Sequence, residues 1–327
     1  MAPRPGPARR VTTPLVMSNA RSVVHKSRGA RALKGGHMAS VTRWLGMQFR
    51  RFGPAKEQVS VIGQGTWYLD AGSRASVVTA LRQGLDFGMR HIDTAELYGD
   101  GEAERIVGDA IAGRRDEVFL VSKVLPRNAT RLGTIAACER SLARLRTDHL
   151  DCYLLHWRGP YPLEETIAGF EQLVFRGKIH HWGVSNFDVP DLEEALSIAG
   201  PDQITCDQVL YHLQERAIEH AVLPWCLRHG VAIVAYSPFG HGHFPSSHTR
   251  GGRVLEQIAE AHNATPRQVA LAFLVRRDLL FALPKASNPE HTAENAGAGN
   301  LRLSDEELLK IDRAFPVGPP RRELPML

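Results

Sequence analysis

Four residues able to move or steer protons stand at the ends of three short apolar runs. Asp93 and Tyr98 fall in GMRHIDTAELYGDGE at 88–102, and Lys123 and His156 stand next to the ends of VFLVSKV and DCYLLHW. A tyrosine of ordinary pKa, ~10, is a poor proton donor to a weakly basic carbonyl. A lysine ammonium beside it is expected to favour the phenolate and lower that pKa, while a carboxylate beside the lysine keeps it charged and in place. Asp93, Lys123 and Tyr98 supply those parts, and His156 is suited to hydrogen-bond the substrate oxygen. The set fits protonation of an oxyanion as it forms. Hydride delivery makes such an oxyanion from a carbonyl without a protein nucleophile. Alone, Asp93 and Lys123 would read as a rim ion pair and His156 as a core histidine. Their joint occurrence at strand ends carries the chemistry.

Those ends share a face only if the strands are parallel, and the wider pattern says that they are. Apolar, β-branched runs occur at 59–62, 91–93, 118–123, 150–156, 180–185, 206–211, 232–236 and 281–285. Between them lie segments with apolar residues at three- and four-residue spacing, at 75–85, 104–111, 134–145, 163–174, 192–198, 217–227 and 268–275. Gly88, Gly177, Gly200 and Gly230 are placed to stop helices, and Pro162, Pro190 and Pro289 to open them. Eight such strand–helix units predict a (β/α)8 TIM barrel, a single α/β domain over 51–327, with its active site at the C-terminal ends of the strands. A doubly wound open sheet would want a third glycine in GQGTWY, where Tyr68 stands instead. The stretch 237–252, SPFGHGHFPSSHTRGG, reads as a mobile loop suited to a lid. Its histidines His241, His243 and His248 lack carboxylate or cysteine companions and read as solvated, so no metal is expected.

Charge is unevenly spread. Residues 1–46 hold nine Lys/Arg and no acid, leaving 31 of the 40 basic residues against all 35 acidic ones in the remainder. A mildly acidic body offers no footprint for nucleic acid. The basic segment, 1–50, has the composition of a disordered arm. A targeting segment, an extension upstream of a start at Met38 or Met47, and a nonspecific tether are its competing readings. No apolar run reaches the ~18 residues of a membrane span. Cys138, Cys152, Cys206 and Cys226 show no C-x-x-C pairing and read as reduced thiols, so a cytoplasmic location is expected.

The chain resembles the aldo-keto reductases over 59–315. GMRHIDTAELYGDGE is similar to that family's first signature, FEQLVFRGKIHHWGVSNF at 170–187 to its second, and LPKASNPEHTAEN at 283–295 to its third. GQGTWY, LLHW, CDQVLYHL and VAYSP most resemble bacterial methylglyoxal-type reductases. The resemblance implies Tyr98 as general acid, Lys123 and Asp93 as its tuning pair, and His156 as the group orienting the carbonyl. It implies Ser185, Asn186 and Gln208 on a nicotinamide carboxamide, Tyr236 stacked on the ring, and Ser237, Phe239 and Gly240 along the pyrophosphate. Lys285 would meet an adenosine 2′-phosphate, with Asn288, His291, Glu294 and Asn295 around the adenine. Trp67 and Trp157 would wall the substrate pocket. The implied cofactor is NADPH, with NADH a weaker substitute. At His291 an imidazole replaces the family's frequent arginine, which weakens that preference. Asp207 stands where asparagine is usual.

The expected activity is reduction of small aldehydes and α-dicarbonyls by a monomer. With 12 residues after Phe315, a shallow pocket of broad selectivity is expected. The alternative of another class is a cofactor-binding regulatory protein of the potassium-channel β-subunit type. A Schiff-base aldolase or isomerase using Lys123 is disfavoured, because Asp93 would hold that amine protonated.

Overall fold

A computed structural model describes residues 46–69 and 73–327, so 1–45 of the basic segment and its competing roles lie outside the described residues. The end of that segment, Phe49 and Arg50, is already strand and not arm. Two short strands, β1 (Phe49–Arg51) and β2 (Gln58–Ser60), pair antiparallel. Eight strands then follow in one parallel sheet in sequence order. They are β3 (Gln64–Gly65), β4 (His91–Asp93), β5 (Phe119–Val124), β6 (Leu150–Leu155), β7 (Ile179–Ser185), β8 (Ile204–Leu210), β9 (Ala232–Tyr236) and β10 (Leu280–Leu283). The sheet closes on itself. Gly63 N donates to Ala282 O at 2.9 Å, Ala282 N to Val61 O at 2.9 Å, and Gly65 N to Pro284 O at 3.1 Å. Helices α1 (Arg74–Asp86), α2 (Glu102–Ile111), α3 (Arg131–Leu145), α4 (Leu163–Phe175), α5 (Val189–Ala199) and α6 (Val222–His229) follow β3 to β8 in turn. After β9 come α7 (Arg250–His262) and α8 (Pro266–Leu274), and after β10 come α9 (Pro289–Gly297) and α10 (Asp305–Ala314). The expected TIM barrel is the observed fold.

Three sequence expectations shift. The first barrel strand is Gln64–Gly65, later than 59–62, because Val59 and Ser60 are taken by the antiparallel ribbon, paired to Arg50 and Phe49. That ribbon closes the barrel floor. Phe52, fully buried on its turn, meets the rings of His91, Phe119 and Phe281 at centroid distances of 5.4, 4.9 and 4.9 Å. The segment 217–227 is not one helix: a 3-10 turn at Ala217–Glu219 precedes α6. Pro224 explains the split. It has no N–H to give and is tolerated only in a helix's first turn, so the helix must begin close before it.

The glycine-rich loop ends at Thr249, which caps α7 by accepting from Gly252 N at 3.0 Å. Here Gly251 and Gly252 serve close packing within a helix. A Cβ on Gly251 would meet the Phe315 ring at 2.4 Å, and one on Gly252 the Ser246 carbonyl oxygen at 2.0 Å. Two glycines in a polar run resemble a loop in sequence, which is why this helix was not anticipated.

Candidate active site

Alternation along β5 separates two neighbouring side chains. Ser122 faces the helices, where its Oγ donates to the buried Glu104 Oε1 at 2.6 Å, and Arg144 Nε donates to Glu104 Oε2 at 2.5 Å. This ties β5 to α2 and α3 and fixes the strand from outside. Lys123 points the other way, into the barrel, with no exposed surface. Its Nζ donates to Asp93 Oδ2 at 2.6 Å and to the Thr94 carbonyl at 3.0 Å, and lies 3.0 Å from Tyr98 Oη. Asp93 Oδ1 accepts from Gln208 Nε2 at 2.8 Å. Both carboxylate oxygens and the ammonium are therefore satisfied, as a buried ion pair requires.

Tyr98 is held by a turn of left-handed residues: Gly99 (φ 56°), Asp100 (φ 51°) and Gly101 (φ 86°). The turn leads straight into α2 and leaves the phenol over Lys123. The expected lowering of the Tyr98 pKa is not what the structure gives. Burial pushes the phenol up, Asp93 adds to that, and the opposing pull of Lys123 is outweighed. Tyr98 therefore remains a loaded proton donor through neutral pH. Burial alone would pull the Lys123 ammonium down, yet Asp93 and Tyr98 overcome it and hold the amine charged.

His156 follows β6, with its ring edge-on to Tyr98 at 5.7 Å and against Trp157 at 4.8 Å. Burial, then the Lys123 charge, keeps its imidazole well below the ordinary value and hence neutral. Its Nδ1 is buried without a partner among the described residues. Ser185 Oγ donates to the Gln208 carbonyl at 2.8 Å. Asn186, in the left-handed region at φ 59°, donates from Nδ2 to the His156 carbonyl at 3.1 Å and accepts from Tyr236 Oη at 2.9 Å. Burial raises the Tyr236 phenol to about 12.

These groups open onto a cleft of about 480 Å³ at the C-terminal mouth of the barrel. Asp93, Tyr98, His156, Trp67, Trp157, Ser185, Asn186, Gln208, Tyr236, Ser237, Phe239 and Lys285, all singled out from sequence, line it. Lys123 lies beneath it. Gly240, Asn288, His291, Glu294 and Asn295 do not. Asn288 caps α9, accepting from His291 N at 2.9 Å, and Glu294 Oε1 accepts from Thr265 Oγ1 at 2.8 Å. Tyr68, His241 and Leu327 also line the cleft and were not foreseen. His241 is exposed, as its loop position suggested, and it also stacks on Trp67 at 5.2 Å and 24°. Its contact with Trp67 spans 174 residues of sequence, and only its place between Gly240 and Gly242 hinted at a special conformation. Leu327 shows that the short tail still reaches the cleft.

Comparison with known proteins places the chain in a family. The profile of the aldo/keto reductase family matches residues 61–315. Methylglyoxal reductase YeaE of Escherichia coli (strain K12) is 45% identical over 268 residues, covering 81% of this chain and 94% of that protein. Glyoxal reductase of Bacillus subtilis (strain 168) is 34% identical over 250 residues, covering 76% and 87%. The crystal structure of an aldo/keto reductase from Klebsiella pneumoniae in complex with NADP and acetate superimposes with a TM-score of 0.81 at 43% identity. That match covers 86% of this chain and all of that one. A barrel of this topology, with a buried Asp–Lys pair under a tyrosine at its mouth, matched over most of its length, belongs to the aldo/keto reductase family.

Proposed function

We propose that this chain reduces small aldehydes and α-dicarbonyls, such as methylglyoxal, with NADPH. The observation that carries the reading is the Lys123 ammonium bridging Asp93 and Tyr98 Oη at the base of a cleft lined by a neutral imidazole. The cleft also fits the cofactor. Tyr236 offers a ring face beside Asn186 and Ser185, Gln208 keeps its Oε1 free while Nε2 is held by Asp93, and Lys285 supplies an exposed cation at the rim for a phosphate. NADPH supplies a hydride when bound there.

The chain's own residues do the rest. The substrate carbonyl oxygen lies between Tyr98 Oη and the His156 ring. His156, neutral, donates a hydrogen bond and orients the carbonyl without competing for the proton. Tyr98 gives its proton to that oxygen as negative charge develops, and Lys123, 3.0 Å away, stabilises the phenolate left behind. Asp93 keeps Lys123 charged and in register. Trp67, Trp157 and Phe239 give the cleft apolar walls, suited to small substrates with few polar handles.

The test follows nicotinamide absorbance with methylglyoxal and NADPH, for wild type and Tyr98→Phe. Wild type consumes NADPH, and the variant is slower by about 10²–10⁴-fold, the range of a lost general acid. Undiminished turnover by the variant removes Tyr98 from the role. A wild type that binds NADPH yet reduces no small aldehyde overturns the reading.

A further inference from the structure

At the opposite end of the barrel, the N-terminal rim, a second group of side chains gathers with no part in the chemistry above. His149 precedes β6, Asp151 is its second residue, and His180 is the second residue of β7. Leu150 pairs with Ile179 in the sheet, so Asp151 and His180 sit side by side one step further on. His149 and Asp151 are two residues apart and share the same strand face. The three side chains each offer a donor atom, and these lie within 4.8 Å of one another.

The donors are already oriented. Asp151 Oδ2 accepts from Leu120 N at 2.8 Å and from Arg115 Nη2 at 2.7 Å, which turns Oδ1 toward His180 Nδ1, 3.8 Å away. His149 Nδ1 lies 2.7 Å from Asp148 Oδ1. A carboxylate holding one ring nitrogen fixes the tautomer and presents the other lone pair, the arrangement that supports metal-bound histidines. The two rings stack at 4.6 Å and 23°. His180 is the most open, with 46% of its side chain exposed, against 25% for His149 and 13% for Asp151. It is free to tilt toward an ion while the other two stay fixed.

We propose that His149, Asp151 and His180 form a binding site for one divalent transition-metal ion on the barrel's N-terminal rim. Two imidazoles among three donors select zinc or a neighbouring first-row ion over magnesium or calcium, which prefer all-oxygen shells. Ligand distances of ~2.0–2.2 Å require the donors to close by roughly 1 Å from their present spacing, a movement within reach of His180. Arg115 stays on Asp151 Oδ2, so the carboxylate binds through Oδ1 alone. Water completes the shell on the open side. The ion would clip β6 to the residue before it and to β7, far from the reductive cleft.

The experiment uses the full chain without a polyhistidine tag, stripped with a chelator. Zinc is titrated calorimetrically, and cobalt(II) by its visible absorption, whose intensity reports the coordination number and geometry of the bound ion. One equivalent binds, and His180→Ala or His149→Ala weakens it by about tenfold or more. Turnover in the NADPH assay is unchanged in both, which shows that they fold and separates this site from the cleft. No uptake beyond that of the His149→Ala/His180→Ala double variant overturns the proposal. So does uptake that survives in the double variant and disappears when His241, His243 and His248 are replaced by alanine.

Discussion

His91 and His156 are the same residue type in the same barrel, both buried and both held neutral by burial first and the Lys123 charge second. His91 opens β4 at the floor. It is ringed edge-on by Phe52, Phe119 and Phe281 at 5.4 to 6.5 Å, and neither ring nitrogen has a partner among the described residues. His156 follows β6 at the mouth, where only Nδ1 is sealed and the ring looks into the cleft beside Tyr98. Neutrality at the floor lets an imidazole act as a packing element. At the mouth the same neutrality leaves an imidazole facing the cleft, where the proposed reaction uses it as a hydrogen-bond donor. Position along the strand, not residue type or pKa, separates structure from chemistry.

The largest break in that comparison comes at the mouth. Lys123→Met removes the cation under Tyr98 and leaves Asp93 buried with Gln208 as its remaining side-chain partner. Turnover falls by about 10²–10⁴-fold. Stability falls by roughly 3–5 kcal/mol, the cost of stranding one member of a buried ion pair. Steady-state kinetics and urea unfolding read the two losses separately. Activity near wild type would mean that the tyrosine needs no lysine.

A second variant separates the inner and outer faces of the sheet at the mouth. Asp207 neighbours Gln208 but points out toward α5. It is fully buried, with Oδ1 accepting from Phe187 N at 3.4 Å and Oδ2 without a partner among the described residues. Burial pushes its carboxyl well above the ordinary range, and Asp191 and Asp188 add to the rise. The folded state then keeps a proton that the unfolded state has lost, so Asp207 costs stability as pH rises above its unfolded value. Asp207→Asn is more stable than wild type at pH 7, by about 1.4 kcal/mol for each pH unit over which the folded carboxyl holds a proton that the unfolded one has lost, because the amide needs no proton on folding. The advantage shrinks toward pH 4. An equal difference at both pH values would show that Asp207 is not held protonated.

Much of this contrast was legible beforehand, and what was not had local causes. The eight-unit alternation and the four mouth residues are carried by short-range pattern: apolar runs, helix stops and polar residues at run ends. The floor was not legible. Phe52 reads as one aromatic in a polar stretch, and it becomes a plug only through rings 39 to 229 residues away in sequence. The rise in the Tyr98 pKa was missed because sequence gives the neighbours of a group but not its depth, and here depth outweighs the neighbouring charge. The stacking of His241 on Trp67 was missed for a different reason, since only folding brings together two rings 174 residues apart.

The smallest effect sharpens the comparison from the floor. Burial lowers His91 from 6.5 to about 3, so between those values the unfolded state binds a proton that the folded state refuses. Stability therefore rises with pH across that window, and is lost as pH falls below 6.5 toward 3. Each pH unit within the window is worth about 1.4 kcal/mol, so His91 accounts for about that much loss at pH 5.5. His91→Leu keeps an apolar body among the three phenyl rings and removes the titration. Its unfolding free energy is expected to fall less between pH 7 and pH 5.5 than that of wild type, by about that amount. His156 contributes equally to both proteins and cancels in the difference, and turnover at pH 7 is unchanged because the floor takes no part in the reaction. Should the two proteins lose stability in parallel, the floor imidazole has found a proton-accepting partner, and the contrast between the two histidines fails at that end.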